Sequence, residues 1–219
     1  LGNVRFFNSV FTMQVRDGDI RVQRRLSGGT LYDIGIYCMN AARYLFQDDP
    51  IEVSAFVVHG ADGRFQEVDE MTGALLRFPG NRIATFICSF GATDVSAYDV
   101  VGTKGRIRME PAYEYIGELK HEVTIDGKTH ARAFPGGDQF ASELEYFSNC
   151  VLNGKNPEPS GIEGLVDVRI IEALYRSAKL GRPVKVTASN KKVWPRLTQV
   201  IRRPPVKKPA LTKVKSPSL

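Results

Sequence analysis

The sequence predicts an α+β fold in which an open, mostly antiparallel sheet carries its helices on one face. Runs of alternating apolar residues, separated by turn residues, follow one another from residue 51 to residue 134. No helical pattern interrupts these runs, so neighbouring strands are expected to pair as hairpins. Helical patterns lie before them, up to residue 46, and after them, from residue 138 to residue 181.

The predicted strands alternate with short turn signals. Proline and glycine at 79–81 and 102–105 mark turns, and Asp126-Gly127 is a strong two-residue hairpin signal. The strands are expected at residues 4–15, 51–59, 68–78, 83–90, 95–101, 106–110, 113–119, 121–125, 128–134 and 182–186.

Two helices are expected to close the domain. Asp138 is a candidate N-cap for the first, which runs to Gly154. Ser160 begins the second, and Glu163 three residues later predicts a capping box. Gly181 is expected to end that helix.

The first helix follows the glycine pair at 28–29 and carries two stripes at helical spacing. Gly35 lies within the helix, where it costs about 1 kcal/mol relative to alanine. The pattern fits a site that something approaches closely, and it also fits an amphipathic helix with a polar flank and a packing glycine. The stripe expected to be buried is Leu31, Ile34, Cys38, Ala41 and Leu45. The second stripe, roughly 100° further round, is Asp33, Tyr37, Asn40 and Tyr44.

Residues 28–46, GGTLYDIGIYCMNAARYLF, resemble the motif that opens the substrate-side helix in the glucose–fructose oxidoreductase family. That family includes inositol 2-dehydrogenase and many NAD(P)-dependent sugar dehydrogenases. The resemblance continues at 100–111 and 140–186, so it spans most of residues 1 to 187 in the family's order. Thr30 departs from the third glycine that is common in the glucose–fructose branch.

The resemblance implies hydride transfer between a sugar carbon and the nicotinamide of NADP or NAD. The family's aspartate, and the residue four positions later, lie beside the sugar and the nicotinamide. Asp33 and Tyr37 match these positions, and the tyrosine is typical of the glucose–fructose branch. The implied roles are proton carrier for Tyr37 and hydroxyl orientation, or a share of the base role, for Asp33. The further candidate substrate-binding residues are Asn40, Tyr44, Gly28 and Gly29.

Residues that would hold the dinucleotide are missing from the sequence. Gly28-Gly29 and Gly136-Gly137 lack the flanking strand, the spacing and the acidic residue about 20 positions further on that a dinucleotide fingerprint needs. The family's Glu-Lys-Pro motif, whose lysine completes the catalytic set, is absent too, since the one Lys-Pro pair, Lys208-Pro209, follows Lys207. We therefore expect the substrate domain of a two-domain oxidoreductase, which relies on its own N-terminal Rossmann domain and binds no dinucleotide alone.

Two other functional classes remain open. The sequence is also compatible with a stand-alone carbohydrate-binding or dimerisation module without turnover, and with a degenerate fragment that has no role. A glycine fingerprint and a Glu-Lys-Pro motif encoded ahead of Leu1 would favour the enzyme, whereas an initiating methionine directly before Leu1 would favour the module. We also expect a homo-oligomer formed through the uncovered face of the sheet. The residues predicted for that face are Phe56, Val58, Leu76, Phe86 and Cys88.

Length and charge indicate one domain with a tail. The 219 residues are 42% hydrophobic, so we expect a substrate-binding and oligomerisation domain over residues 1–190. Residues 191–219 form a predicted basic, proline-rich tail, and the net charge of +6 arises from six lysines and arginines within 201–219. No aromatic residue is interleaved there to stack on bases, which argues against specific nucleic-acid binding.

Cysteine usage and hydropathy indicate a cytoplasmic protein. Cys38, Cys88 and Cys150 lie far apart within apolar patterns, so buried free thiols are expected. The sequence contains no run of 18 apolar residues, so no membrane span is predicted. The three histidines, at 59, 121 and 130, have no metal-ligand spacing, so no metal site is predicted.

Overall fold

A nine-stranded open sheet forms the centre of the computed structural model, which describes residues 1–115, 117–187 and 194–205. The strand order is β8-β7-β6-β5-β1-β4-β3-β2-β9, in which β1 and β4 are parallel and the other neighbours are antiparallel. This confirms the predicted open, mostly antiparallel sheet. The strands are β1 (Val4–Gln14), β2 (Glu52–Val58), β3 (Met71–Phe78), β4 (Arg82–Ser89), β5 (Gly91–Gly102), β6 (Gly105–Met109), β7 (Leu119–Ile125), β8 (Lys128–Phe134) and β9 (Val184–Lys185).

Three helices accompany the sheet within the described ranges. A π-helical turn, Leu31–Gly35, continues directly into α1 (Ile36–Phe46), and α2 (Gln139–Leu152) and α3 (Gly161–Leu180) follow β8. The core lies where α1 packs on β1 and β4 and α3 packs on β2.

The buried face of the first helix departs from the predicted stripe. Leu31, Ile34 and Cys38 are buried as expected, but Leu45 is 38% exposed, so that prediction was wrong. A π turn adds one residue to the α-helical repeat. The extra residue shifts every later position, and the face of α1 that meets the core becomes Cys38, Met39, Ala42, Arg43 and Phe46.

The sheet face opposite α1 and α3 is open and partly apolar. Phe56 and Val58 lie on this open face, as predicted. Leu76, Phe86 and Cys88 were predicted there wrongly, because strand register places them beside buried residues of the neighbouring strands, and they are at most 2% exposed. The exposed apolar residues of the open face are Phe6, Phe56, Val58, Met71, Leu75, Ile83 and Ile87.

Two of the turn and cap predictions are confirmed. Asp126 and Gly127 both have positive φ, 48° and 74°, and they join β7 to β8. The Asp138 carboxylate accepts a hydrogen bond from the Ala141 N–H at 2.9 Å and so caps α2.

Two other local predictions were wrong. The predicted capping box is absent: the Ser160 side chain makes no cap bond, and the Glu163 carboxylate pairs with Arg43, 2.7 Å away. Among residues 113–119, those described before Leu119 form a loop rather than a strand. That loop is tied to β5, since the Tyr113 N–H donates to Ser96 Oγ at 2.9 Å.

The cysteine prediction is confirmed, since all three thiols are free and buried. Residues 194–205 of the predicted tail lie against the domain: the Arg43 guanidinium is 5.8 Å from the Trp194 ring, and Arg203 pairs with Glu145. Residues 206–219 lie outside the described part of the chain. Within that part, no helix has the length and apolar character needed to cross a membrane.

Candidate active site

The glycine pair ahead of the first helix lies against its own chain. The Gly29 N–H donates to the Arg21 carbonyl and the Gly28 N–H to the Gln23 carbonyl, each at 3.0 Å. A Cβ on Gly28 would lie 2.4 Å from the Arg21 oxygen, and Gly29 has a φ of +130°. The two glycines therefore hold the loop at 21–23 beside the start of the helix; their predicted contact with substrate stays a prediction.

Buried Asp69 anchors the start of the helix. It accepts hydrogen bonds from the Thr30 N–H at 2.9 Å and from the Thr30 hydroxyl, as well as from the Tyr175 hydroxyl at 2.9 Å. A carboxylate at this end of a helix is favoured by the exposed N–H groups. Thr30 stands where the glucose–fructose branch commonly has its third glycine. Its side chain bonds Asp69 and, at 3.0 Å, the Thr72 hydroxyl.

Asp33 and Tyr37 line the same cleft, which has a volume of about 550 Å³. We call this space the Asp33–Tyr37 cleft. It lies between the π turn, the end of β1, the start of β5 and the loop at 110–115. Its remaining charged side chains are Arg21, Asp94, Glu110 and Glu114.

Arg21 holds the carboxylate of Asp33. Its Nε lies 2.6 Å from Asp33 Oδ2, and its Nη1 lies 3.3 Å from Asp19 Oδ1. Burial lowers the pKa of Arg21, but the two carboxylates raise it further, so the guanidinium stays charged. The side chains of the next two arginines bond elsewhere: Arg24 Nε donates to the Glu67 carbonyl at 3.0 Å, and Arg25 Nη2 donates to Gln23 Oε1 at 3.1 Å.

An aromatic wall supports Tyr37. Its ring meets the rings of Phe11 and Tyr113 at centroid distances of 5.6 and 6.1 Å. The Tyr113 hydroxyl lies 2.7 Å from Ser9 Oγ, which in turn donates to the Ala97 carbonyl at 3.0 Å. Burial raises the pKa of Tyr113 well above its ordinary value, so this phenol stays neutral as a support. Tyr37 itself is 51% exposed and faces the cleft.

Asn40 and Tyr44 lie in a different place from Asp33. They line a second cleft of about 440 Å³ on the other side of Tyr37, which borders both clefts. The Asn40 side-chain amide donates to Asp167 Oδ2 at 2.9 Å, so one of its groups serves the packing of α1 on α3. Their predicted contact with the substrate stays a prediction.

Sequence reasoning missed Arg21, Asp69 and Tyr113. The residue spacing gives no signal for them, because each comes from a different segment and meets the helix only after folding. The described residues contain no group of three histidine, cysteine or acidic side chains placed to hold a metal ion.

The Asp33–Tyr37 cleft suits a neutral polyol better than a phosphate. Carboxylates accept hydrogen bonds from hydroxyl groups, and a phenol can both accept from them and donate to them. Around Asp33 the lining adds Asp94, Glu110 and Glu114, against a single lining cation, Arg21. Gly28 packs on the backbone of Arg21 and Gln23, and Gly29 faces the Tyr175 hydroxyl and the Asp69 carboxylate, so neither glycine presents a phosphate cradle. That the chain binds no dinucleotide alone stays a prediction.

Known proteins that this chain resembles in sequence include oxidoreductases. A family model described as the GFO/IDH/MocA C-terminal domain matches residues 1–108. A D-xylose 1-dehydrogenase [NADP(+)] from Haloarcula marismortui is 34% identical over 168 residues, which cover 76% of this chain and 46% of that protein. A second, NADP(+)-dependent D-xylose 1-dehydrogenase from Haloferax volcanii is 32% identical over 85% of this chain and 57% of its own length.

Solved structures share the fold. The crystal structure of an aldose–aldose oxidoreductase from Caulobacter crescentus, complexed with glycerol, matches with a TM-score of 0.79 and 36% identity over 85% of this chain and 56% of that one. A 3-ketoreductase from Actinomadura kijaniata, in complex with NADP and TDP-benzene, matches with a TM-score of 0.72 and 26% identity over 81% of this chain and 55% of the enzyme. The chain thus spans about half the length of the relatives it matches.

Proposed function

Since this chain belongs to the GFO/IDH/MocA oxidoreductase family as its C-terminal domain, we propose that it is the substrate-binding domain of a nicotinamide-dependent sugar oxidoreductase. The observation that carries the proposal is the shared cleft of Asp33 and Tyr37. NADP is favoured over NAD as the cofactor, because related D-xylose dehydrogenases are NADP-dependent and a related ketoreductase is seen with NADP.

The side chains of the cleft would take up the proton that the reacting hydroxyl loses. When a sugar alcohol is oxidised, a hydride leaves carbon and the hydroxyl proton must go to a nearby group. The phenolic oxygen of Tyr37 would accept that proton while passing its own proton to water in the cleft, and Asp33, held by Arg21, would orient the sugar hydroxyls. The nicotinamide supplies the hydride acceptor and is brought by a separate dinucleotide-binding domain.

The charge of the cleft favours a neutral sugar as the substrate. Asp94, Glu110 and Glu114 would repel a phosphorylated sugar, whereas they can accept hydrogen bonds from hydroxyl groups. We therefore place neutral aldoses and polyols ahead of sugar phosphates.

A stand-alone module is the second candidate function. The exposed apolar residues of the open face favour an assembly role, which would also suit a domain without turnover. The two candidates differ in whether Tyr37 is needed for chemistry.

The test compares this chain with a two-domain form in which a dinucleotide-binding domain precedes Leu1. The chain alone should bind NADPH no tighter than about 10 µM, and only the two-domain form should oxidise aldoses. In that form Tyr37→Phe should lower turnover about 10²–10⁴-fold with unchanged cofactor affinity. Tyr32→Phe is the matched control, since Tyr32 is an exposed tyrosine of the π turn that does not line the cleft. Normal turnover of Tyr37→Phe with every sugar tested would refute the catalytic role.

A further inference from the structure

The helix α2 turns its apolar side to the solvent. Phe140, Leu144, Phe147 and Val151 recur at intervals of four, three and four residues, so they form one stripe along the helix. We call them the α2 stripe. Their exposed fractions lie between 55% and 69%, although a surface helix ordinarily buries this side.

Apart from the contact of Phe140 with Tyr115, the contacts that we describe between α2 and the rest of the chain lie away from the stripe. Glu145 pairs with Arg203, whose Nε lies 2.6 Å from Glu145 Oε2. The Tyr146 hydroxyl accepts the Glu158 N–H at 3.0 Å. Because a helix of 14 residues is marginal in water without an apolar partner, this arrangement points to a partner outside the described residues.

The α2 stripe reaches the mouth of the Asp33–Tyr37 cleft. The Phe140 ring lies 6.0 Å from the Tyr115 ring, centroid to centroid. Tyr115 is 59% exposed and also lines the cleft. The α2 stripe and the rim of the cleft therefore form one continuous surface. A domain that packs on the stripe also borders the candidate active site.

We propose that the α2 stripe is the docking surface for the dinucleotide-binding domain of the same polypeptide. This inference rests on the proposed function. It also follows from geometry, because hydride transfer needs the nicotinamide in contact with a sugar held beside Tyr37. The relatives extend over about twice the length of this chain, which leaves room for such a domain. A second copy of the chain already has a candidate surface, the open face of the sheet.

Thiol labelling tests whether the dinucleotide-binding domain or a second copy of the chain covers the α2 stripe. The three native thiols are buried, so Leu144→Cys introduces a reactive one. It should react rapidly in this chain alone, and at least about tenfold more slowly in the two-domain form, with the unmutated two-domain protein as background. Leu180→Cys is the control: Leu180 is 49% exposed and ends α3 beside β9, at the opposite edge of the sheet from β8. It should react rapidly in both forms.

Equal reaction of Leu144→Cys in the two forms would overturn the inference, as would protection in this chain alone, which would indicate a second copy.

A second measurement uses Leu144→Ser with Phe147→Ser in the two-domain form. Turnover should fall at least about tenfold while NADPH affinity holds, because the domains no longer align. Leu180→Ser should leave turnover unchanged. If the parent two-domain form binds NADPH and oxidises sugars but Leu144 stays accessible, the docking inference fails and the proposed function stands. If the parent form binds no dinucleotide, the proposed function itself fails.

Discussion

The Arg21 guanidinium and the Asp33 carboxylate form an ion pair, Nε to Oδ2, at 2.6 Å on the rim of the cleft that also holds Tyr37. The pair connects a loop ahead of the helix to the π turn that begins it. Both side chains are about one quarter to one third exposed, so the pair is partly screened by solvent. Its role is therefore one of orientation rather than of stability.

Replacing Arg21 should slow catalysis without unfolding the domain. In the two-domain form, Arg21→Gln leaves Asp33 without its partner, and turnover should fall about 10–100-fold through lost orientation. Arg21→Lys keeps the charge and should recover part of the rate. Arg24→Gln is the matched control, since Arg24 bonds Glu67 away from the cleft. Steady-state kinetics and the melting temperature are the measurements; equal rates for Arg21→Gln and Arg24→Gln would contradict the expectation.

The open face of the sheet should hold a homodimer. Phe56 is 80% exposed and lies among six other exposed apolar residues of that face, a patch that monomers rarely leave in water. Light scattering should show a dimer at tens of micromolar, about the range of weak specific interfaces. Phe56→Asp should shift it to monomer, whereas Leu180→Asp should not. A monomeric parent protein at that concentration would rule this interface out.

Arg43 should be a stability residue. It is fully buried and faces the carboxylates of Asp49, Glu163 and Asp167. Arg43→Met would leave buried carboxylates without their cation and should cost about 3–5 kcal/mol in the free energy of unfolding at neutral pH. The exposed pair of Arg77 and Glu52 supplies the control, since Arg77→Met should cost less than about 1 kcal/mol. Urea unfolding measures both; a cost for Arg43→Met no larger than that for Arg77→Met would contradict the prediction.

Alkaline pH should destabilise the domain through Cys38. Burial raises the pKa of this thiol from 9.0 to about 11, so the fold favours the neutral form. A raised pKa contributes stability that is fully present below the unfolded value and is lost as pH rises towards the folded value. The urea midpoint should therefore fall between pH 9 and pH 11. Cys38→Ala should reduce this fall relative to its own midpoint at pH 7; an unchanged slope would show that other groups account for it.

Much of the fold was predictable because strands and turns are encoded locally. Alternating residues located most strands, and Asp126-Gly127 fixed a hairpin by its backbone preference alone. Leu76 and Leu45 show where local information ends. The face of Leu76 depends on the register with neighbouring strands, and the exposure of Leu45 depends on one π turn that periodicity does not reveal.

The site was predictable only where one helix carries it. Asp33 and Tyr37 lie four residues apart, so spacing and resemblance could pair them. Arg21 and Tyr113 reach the same cleft from the loop before the helix and from the loop after β6. Those contacts are set by tertiary packing, and the sequence offers no periodic signal for them.

The position of β1 has a consequence for the order of folding. Although it is the first strand of the chain, it lies between β4 and β5, and Phe7 pairs with Ala84 and Val100. Its hydrogen bonds on both sides thus wait for residues synthesised long after it. Such distant pairings slow the search for the native state. Until β4 and β5 emerge from the ribosome, both edges of β1 lack the strands that pair with them, whereas β2 and β3 can already pair with each other.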